Sequence, residues 1–431
     1  MEKVYQKKLF EKVINRGLCS GCGTCAGVCA KGCIDFKNQN SYTPNFDPAR
    51  CVDCGLCYKV CPSAGFRFES LKASESDWNE AIGSYISFIN SNATDACLRK
   101  NGASGGTVSA IFKYLLDKKH VDKVVCIRQD KEDFAVLITD DVDILPKTQG
   151  SKYIPIPLNT ALSEILKNQW TVAVVGTPCQ LQGIEKAVRN IPRLKEYIKY
   201  KIGLFCGFIQ SKNALAAIRR YLKVEAPVWR FDGWRCGEYP GFVKFTNQNT
   251  GETRKLLIYD AYYMLIPFYS LEKCFMCPDG TNMCADFSFG DIHSRGDNKN
   301  CGIIRTVNGA KLIDIMVRDG YLEAEQITLE QAMKSTVGSV SYLKGMRALL
   351  YIKTNKKAVP EYDIHFNKTK YKKAVILQNR VQMFLYRLAR KKPVLRFFEK
   401  HPKLQMKAGR YIYAFPNYSF AYKVLRKIVK R

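Results

Sequence analysis

Half of the eighteen cysteines crowd into the first 61 residues, and eight of them repeat one spacing. Cys19-x2-Cys22-x2-Cys25-x3-Cys29 is followed by Cys51-x2-Cys54-x2-Cys57-x3-Cys61-Pro62. Three thiolates two residues apart wrap one face of an iron–sulfur cubane, and the fourth crosses to the neighbouring cluster. The spacing predicts two [4Fe–4S] clusters and hence electron transfer. One falls on Cys19, Cys22, Cys25 and Cys61, the other on Cys51, Cys54, Cys57 and Cys29. Gly21, Gly23 and Gly55 let the backbone fold tightly and offer N–H groups to the sulfides. Ala30 stands where the first copy would usually carry proline, but the ligands are intact. Structural zinc uses paired Cys-x2-Cys units rather than two interleaved quartets. Cys33, just outside the first quartet, reads as a small core residue.

A second group is scattered: Cys179 in Gly176-Thr177-Pro178-Cys179-Gln180, Cys206 at a strand end, and Cys274-x2-Cys277. Loops and strand ends are where distant ligands converge, and the Cys274/Cys277 spacing suits a metal. On spacing alone a third cluster remains open, with Cys284 as a competing ligand. Cys97, Cys126, Cys236 and Cys301 read as buried thiols. A separate signal is Asn101-Gly102-Ala103-Ser104-Gly105-Gly106-Thr107, a glycine-rich turn ahead of an apolar helix. Such a turn presents free N–H groups to an anion, or simply caps the helix. It is neither GxGxxG nor a Walker A motif. Gln149-Gly150-Ser151-Lys152-Tyr153 is a similar small, basic loop. His120, His293, His365 and His401 are isolated and read as structural or exposed, so no acid/base or nucleophilic constellation is evident.

The elements that must hold these residues follow an α/β pattern: an α+β ferredoxin-like module, then an α/β domain, then a helical basic tail. Strands are predicted at 123–127, 134–138, 171–175, 201–206 and 302–307, with helices at 105–118, 161–168, 179–188, 214–222 and 310–319. Asn308-Gly309 reads as a turn between the last strand and its helix. The expected division is a two-cluster domain at 1–70, a polar linker at 71–95, an α/β domain at 96–330 and a basic extension at 331–431. At 431 residues the chain is long enough for two or three cored domains. Hydrophobic residues are 46% and charged residues 25%, as in ordinary globular proteins. No apolar run is long enough to span a bilayer, and the first residues do not resemble a secretory signal. A cytoplasmic, reducing location is expected, which favours metal ligation over disulfides.

The ordered motifs from Asn101–Thr107 through 150–153, 176–180, 203–206, Cys274-x2-Cys277 with Ala285–Asp291, to Arg305-Thr306 and Gly309 resemble the coenzyme F420 hydrogenase/dehydrogenase beta-subunit family. The ferredoxin module is fused in front, and the resemblance covers about residues 19 to 320. It implies an iron–sulfur flavoprotein oxidoreductase in which FAD lies beside a [4Fe–4S] cluster and exchanges hydride with an organic molecule, F420 or another. It implies that Gly102, Ser104, Gly105, Gly106 and Lys152 touch FAD. Cys179, Cys206, Cys274 and Cys277 would hold a third cluster, and Cys284 would not be a ligand. A flavin takes one or two electrons and so converts between clusters and hydride chemistry. The alternative is a non-catalytic subunit that delivers single electrons to a partner enzyme.

The net charge of +29 is uneven. From Phe366 to Arg431 there are nineteen Lys or Arg against one acid, Glu399. Such a block attracts anions. Two readings compete: a helical extension packed on the core or on an acidic redox partner, and a peripheral contact with an anionic membrane. In the second, Val424, Leu425 and Ile428 face lipid among the aromatics Phe397, Phe398, Tyr411, Tyr413 and Phe415. Nucleic acid is the least favoured partner.

Overall fold

The computed structural model describes residues 8–37, 41–237, 239–292, 298–354, 360–364 and 373–414. The N-terminal module has little regular structure, because its backbone is shaped around thiols. A hairpin of β1 (Ile34–Asp35) and β2 (Asn45–Phe46) and a short β3 (Gly65–Phe66) flank two one-turn helices, Thr24–Gly27 and Leu56–Lys59. Each helix starts from a left-handed glycine, Gly23 or Gly55, a conformation that costs other residues.

After a small β4 (Asp77–Asn79) and β5 (Gly83–Tyr85) hairpin, eight strands build the central sheet. They are β6 (Ser87–Ala93), β7 (Lys123–Asp130), β8 (Asp133–Thr139), β9 (Val172–Gly176), β10 (Ile198–Leu204), β14 (Phe287–Asp291), β15 (Asn300–Ile304) and β16 (Leu322–Ile327), in the order β16-β6-β15-β14-β10-β9-β7-β8. Between β10 and β14 in the chain, β11 (Trp229–Cys236), β12 (Phe242–Asn247) and β13 (Thr253–Leu257) form a separate antiparallel sheet. In the large sheet β14, β10, β9 and β7 are parallel and their outer neighbours antiparallel.

The sequence reads residues 71–95 as a polar linker, but β6 lies inside the sheet between β15 and β16. Ser91 and Asn92 are buried there: Asn92 Nδ2 donates to Glu323 Oε2 at 2.8 Å, and Ser91 and Thr107 hydroxyls lie 3.1 Å apart. Asn308-Gly309 is not a separating turn. It is the first turn of helix Val307–Arg318, where the Thr306 hydroxyl accepts from the Gly309 N–H at 3.1 Å.

One face of the sheet packs on helices Thr107–Asp117 and Val307–Arg318 through Ile111, Leu115, Leu312 and Met316. The other face packs on helices Ala161–Asn168 and Pro178–Asn190, and the cysteine module joins this core through Val28, Val60, Phe66 and Phe68. Each such side chain stabilises the docking by about 2 kcal/mol. The approach is close. A Cβ on Gly27 would sit 1.9 Å from the Asn159 carbonyl oxygen, and one on Gly183 would sit 2.1 Å from Thr24 Oγ1. Asn159 clamps the seam: its N–H donates to the Cys22 carbonyl at 2.9 Å and its Nδ2 to Thr24 Oγ1 at 2.7 Å.

Beyond 330 the chain is helical (Thr336–Thr354, Lys373–Ala389, Lys392–Lys400, Pro402–Ala414) and packs on the body through Leu350, Tyr351, Met383, Tyr386 and Met406. Between these helices β17 (Glu361–Tyr362) adds in parallel to β3 of the cysteine module. Asp363 there accepts the Phe68 and Glu69 N–H groups at 2.8 and 2.9 Å. Among the described residues no helix is long and apolar enough to cross a membrane. Val424, Leu425, Ile428 and Phe415, read from sequence as candidates to face lipid, lie outside the described residues, as do His293 and His365.

Candidate functional site

The carboxyl ends of β9, β10 and β14 open on one side of the sheet, where parallel α/β sheets place their ligands. Cys179 follows β9 at the start of helix Pro178–Asn190, whose N-terminus is fixed by the Thr177 N–H donating to Gln180 Oε1 at 2.8 Å. Cys206 lies two residues past β10, and its N–H donates to the Gly280 carbonyl at 2.9 Å. Cys274 belongs to the single-turn helix Glu272–Phe275, with Cys277 in the loop that follows.

The thiols gather into three groups. Burial pushes Cys19, Cys22 and Cys25 up, and the nearby Cys61 raises each further. Burial lifts Cys57 to about 12, with Cys54, Cys51 and Cys29 adding to it. Burial also raises Cys206, and Cys274, Cys179 and Cys277 reinforce the effect. Each group brings together thiols that spacing or resemblance assigns to one quartet. Cys179, pushed up to about 11 by burial and then by Cys22, links the third group to the first. Among the described residues no three His, Cys, Asp or Glu side chains are arranged to hold a single metal ion. A cubane holds its thiolates farther apart than one tetrahedral ion at about 2.3 Å from each sulfur would. The Cys54 end is exposed and the Cys274/Cys277 end is buried.

Cys284 is buried, and its charged neighbours are Asp279, Glu185 and Lys201. Cys33 is buried as expected, yet its sulfur lies 3.3 Å from that of Cys29. Cys126 and Cys301 are buried. Cys97 is not, because it lies on the outer side of helix Ala96–Asn101, and Cys236 is only half covered. His120 and His401 are exposed, as expected.

A cavity of about 530 Å³ runs from Cys179 and Cys206 to the glycine-rich turn. Gly102, Ser104, Gly106 and Lys152 line it. Gly105 does not: at φ +103° its α-carbon packs on backbone, where a Cβ would meet the Asn298 carbonyl oxygen at 2.6 Å. Gly106 is left-handed too, φ +76°, and caps helix Thr107–Asp117 with no side chain; the Thr107 N–H donates to Asn300 Oδ1 at 3.4 Å, and Val108 and Ser109 of the first turn line the cavity. Lys152 Nζ donates to the Gln149 and Gly150 carbonyls at 2.8 and 2.9 Å, and desolvation pulls it down to about 8.

Arg235, which the sequence did not single out, completes a polar group around Ser104 of the glycine-rich turn. Ser104 Oγ donates to Asp291 Oδ1 at 2.6 Å, and Arg235 Nη1 spans both Asp291 oxygens at 3.1 and 2.9 Å. Burial opposes the Arg235 charge, but Tyr153 and Asp291 outweigh it. Tyr239, Tyr259 and Tyr262 complete an aromatic rim, and Tyr413, read from sequence as part of a lipid-facing tail, lines the same space. Arg305 and Asp286, both in the resemblance motifs, serve the fold. Arg305 donates to the Ile82, Ser84 and Thr281 carbonyls, and Asp286 accepts the Lys201 N–H at 2.7 Å.

Residues 18–64 match the 4Fe-4S dicluster domain, which makes this an iron–sulfur protein of the ferredoxin type. Residues 89–163 and 170–330 match the N-terminal and C-terminal models of the coenzyme F420 hydrogenase/dehydrogenase beta subunit, together over half of the chain. The chain belongs to that family. Among its relatives is a subunit of the F(420)H(2) dehydrogenase of Methanosarcina mazei, 28% identical over 72% of this chain and 84% of that protein. Another is the coenzyme F420-dependent sulfite reductase of Methanocaldococcus jannaschii, 26% identical over 77% of this chain and 51% of that one. A chain of the F420-reducing [NiFe] hydrogenase complex from Methanosarcina barkeri shares the fold, with a TM-score of 0.55 and 19% identity over 65% of this chain and 95% of that one.

Proposed function

We propose that the protein is an iron–sulfur flavoprotein oxidoreductase in which three [4Fe–4S] clusters exchange single electrons with FAD, and FAD exchanges hydride with an F420-type organic partner. The N-terminal clusters rest on Cys19, Cys22, Cys25 and Cys61 and on Cys51, Cys54, Cys57 and Cys29; the third rests on Cys179, Cys206, Cys274 and Cys277. The observation that carries the reading is that Cys179 and Cys206 open onto the same cavity as the glycine-led first turn of helix Thr107–Asp117.

That cavity suits FAD on its own chemistry. Its volume falls in the usual cofactor range, and its first-turn N–H groups match a pyrophosphate. Its wall contains Gln149 Oε1, a buried acceptor without a partner. Bound there, FAD supplies the exchange between one-electron and hydride chemistry. The first turn of helix Thr107–Asp117 and Lys152 bind its anionic end. The aromatic rim of Tyr239, Tyr259 and Tyr262 orients a planar ring and excludes water. Asp291, held by Ser104 and Arg235, would offer the bound group a hydrogen-bond acceptor. The exposed Cys54 end receives electrons from a redox partner, and the chain's relatives named as hydrogenase and dehydrogenase subunits make a protein partner the natural donor.

Anaerobic purification tests the reading. It expects bound FAD and about twelve irons, three cubanes. About eight irons without flavin would leave only a single-electron delivery subunit. Cys274→Ala should remove about four irons and spare the N-terminal clusters; unchanged iron would refute the third quartet.

A further inference from the structure

Helix Thr336–Thr354 lies beyond the residues that match the family, yet it reaches the third thiol group. Its Lys344 is 2% exposed, and Nζ donates to the Cys274 carbonyl at 3.0 Å. The same ammonium lies 4.8 Å from the centre of the Phe208 ring, and Lys344, Phe208 and Cys274 line one small cavity. Among the described residues Lys344 forms no ion pair. Glu272, the nearest carboxylate in sequence to Cys274, is taken by Arg390 at 2.8 Å and by the Tyr351 hydroxyl. The other buried cation of the helix, Arg347, donates to Asn379. A dehydrated ammonium without an anion is strongly unfavourable, so its charge needs something negative beside it. The helix packs closely there: a Cβ on Gly280, three residues past Cys277, would meet Val340 Cγ1 at 2.4 Å and Lys344 Cγ at 3.1 Å.

We propose that Lys344 is the fixed counter-charge of the third cluster and sets its reduction potential, so that the C-terminal extension belongs to the redox machinery. The inference rests on the reading that Cys179, Cys206, Cys274 and Cys277 hold a cubane. Four thiolates give such a cluster net negative charge, and one added electron raises it by one while no bond forms or breaks. The ammonium of Lys344 stabilises that extra charge and makes the cluster easier to reduce. Lys344 positions charge and touches no substrate.

The test is an anaerobic dithionite titration of the purified full chain, followed by electron paramagnetic resonance, for the native protein, Lys344→Met and Lys344→Arg. In Lys344→Met the third cluster should be at least tenfold harder to reduce, a fall of about 59 mV for one electron, while the N-terminal clusters titrate as before. Lys344→Arg should stay close to native. An unchanged midpoint in Lys344→Met with about twelve irons still bound overturns the proposal. If Lys344→Met sheds about four irons, Lys344→Gln decides. A loaded Lys344→Gln that titrates like the native protein overturns the idea, whereas loss of the third cluster from both neutral variants but not from Lys344→Arg supports it. A native protein with only about eight irons would instead refute the third quartet itself.

Discussion

At the scale of single residues, Lys152 is caught between two roles. Its ammonium closes the C-terminal end of a short turn by donating to carbonyls, and burial brings its proton affinity down to about 8 from an ordinary 10.5. Below that pH it carries a positive charge at the cavity wall, and above it the charge is lost. An anion bound there favours the protonated form, so FAD affinity should weaken as pH rises through about 8. Fluorescence titrations across pH 7 to about 10 should show this slope in the native protein and a flat profile in Lys152→Met. A slope that survives the substitution would assign the effect to another group. The cysteines were legible in sequence because cluster ligands sit at fixed local spacings. Arg235 was not legible, because it meets Asp291 only through folding, 56 residues apart. No local pattern announces such a pair.

Elements explain why the module is seated so firmly. Gly27 and Gly183 let two short helices meet backbone to side chain with no room between, and Asn159 fastens the seam. Gly27→Ala should lower stability by about 1–3 kcal/mol, seen as a drop in Tm and as faster proteolysis near residue 27. Gly251→Ala, at a left-handed turn open to solvent, should leave that seam intact. The predicted strands 123–127, 134–138 and 171–175 were readable as runs of Val, Ile and other apolar residues within β7, β8 and β9. β6 was not, because Ser87, Asn90, Ser91 and Asn92 look like loop residues until cross-strand partners satisfy them. The antiparallel β11–β13 sheet went unread as well. Its alternation is broken by register shifts between Phe231 and Gly233 and between Gly233 and Cys236.

For the whole molecule, the order of the thiol groups sets a direction. The exposed Cys54 end comes first, the buried Cys19/Cys61 group next, and the Cys179 group last, against the cavity. Breaking the outer group should separate the two kinds of electron supply. Cys57→Ala should block flavin reduction by a one-electron protein donor while a hydride donor still bleaches the flavin, followed by absorbance under argon. If both routes fail together, the groups do not act in series.

The pairing of β17 with β3 joins residues almost three hundred positions apart. A ribosome delivers chain from one end, so Gly65 emerges long before Glu361 exists to cover its edge. The cysteine-bearing segment can seat on Asn159 and Gly183 first, and the strand pairing at its far edge closes only once the late part of the chain has been made.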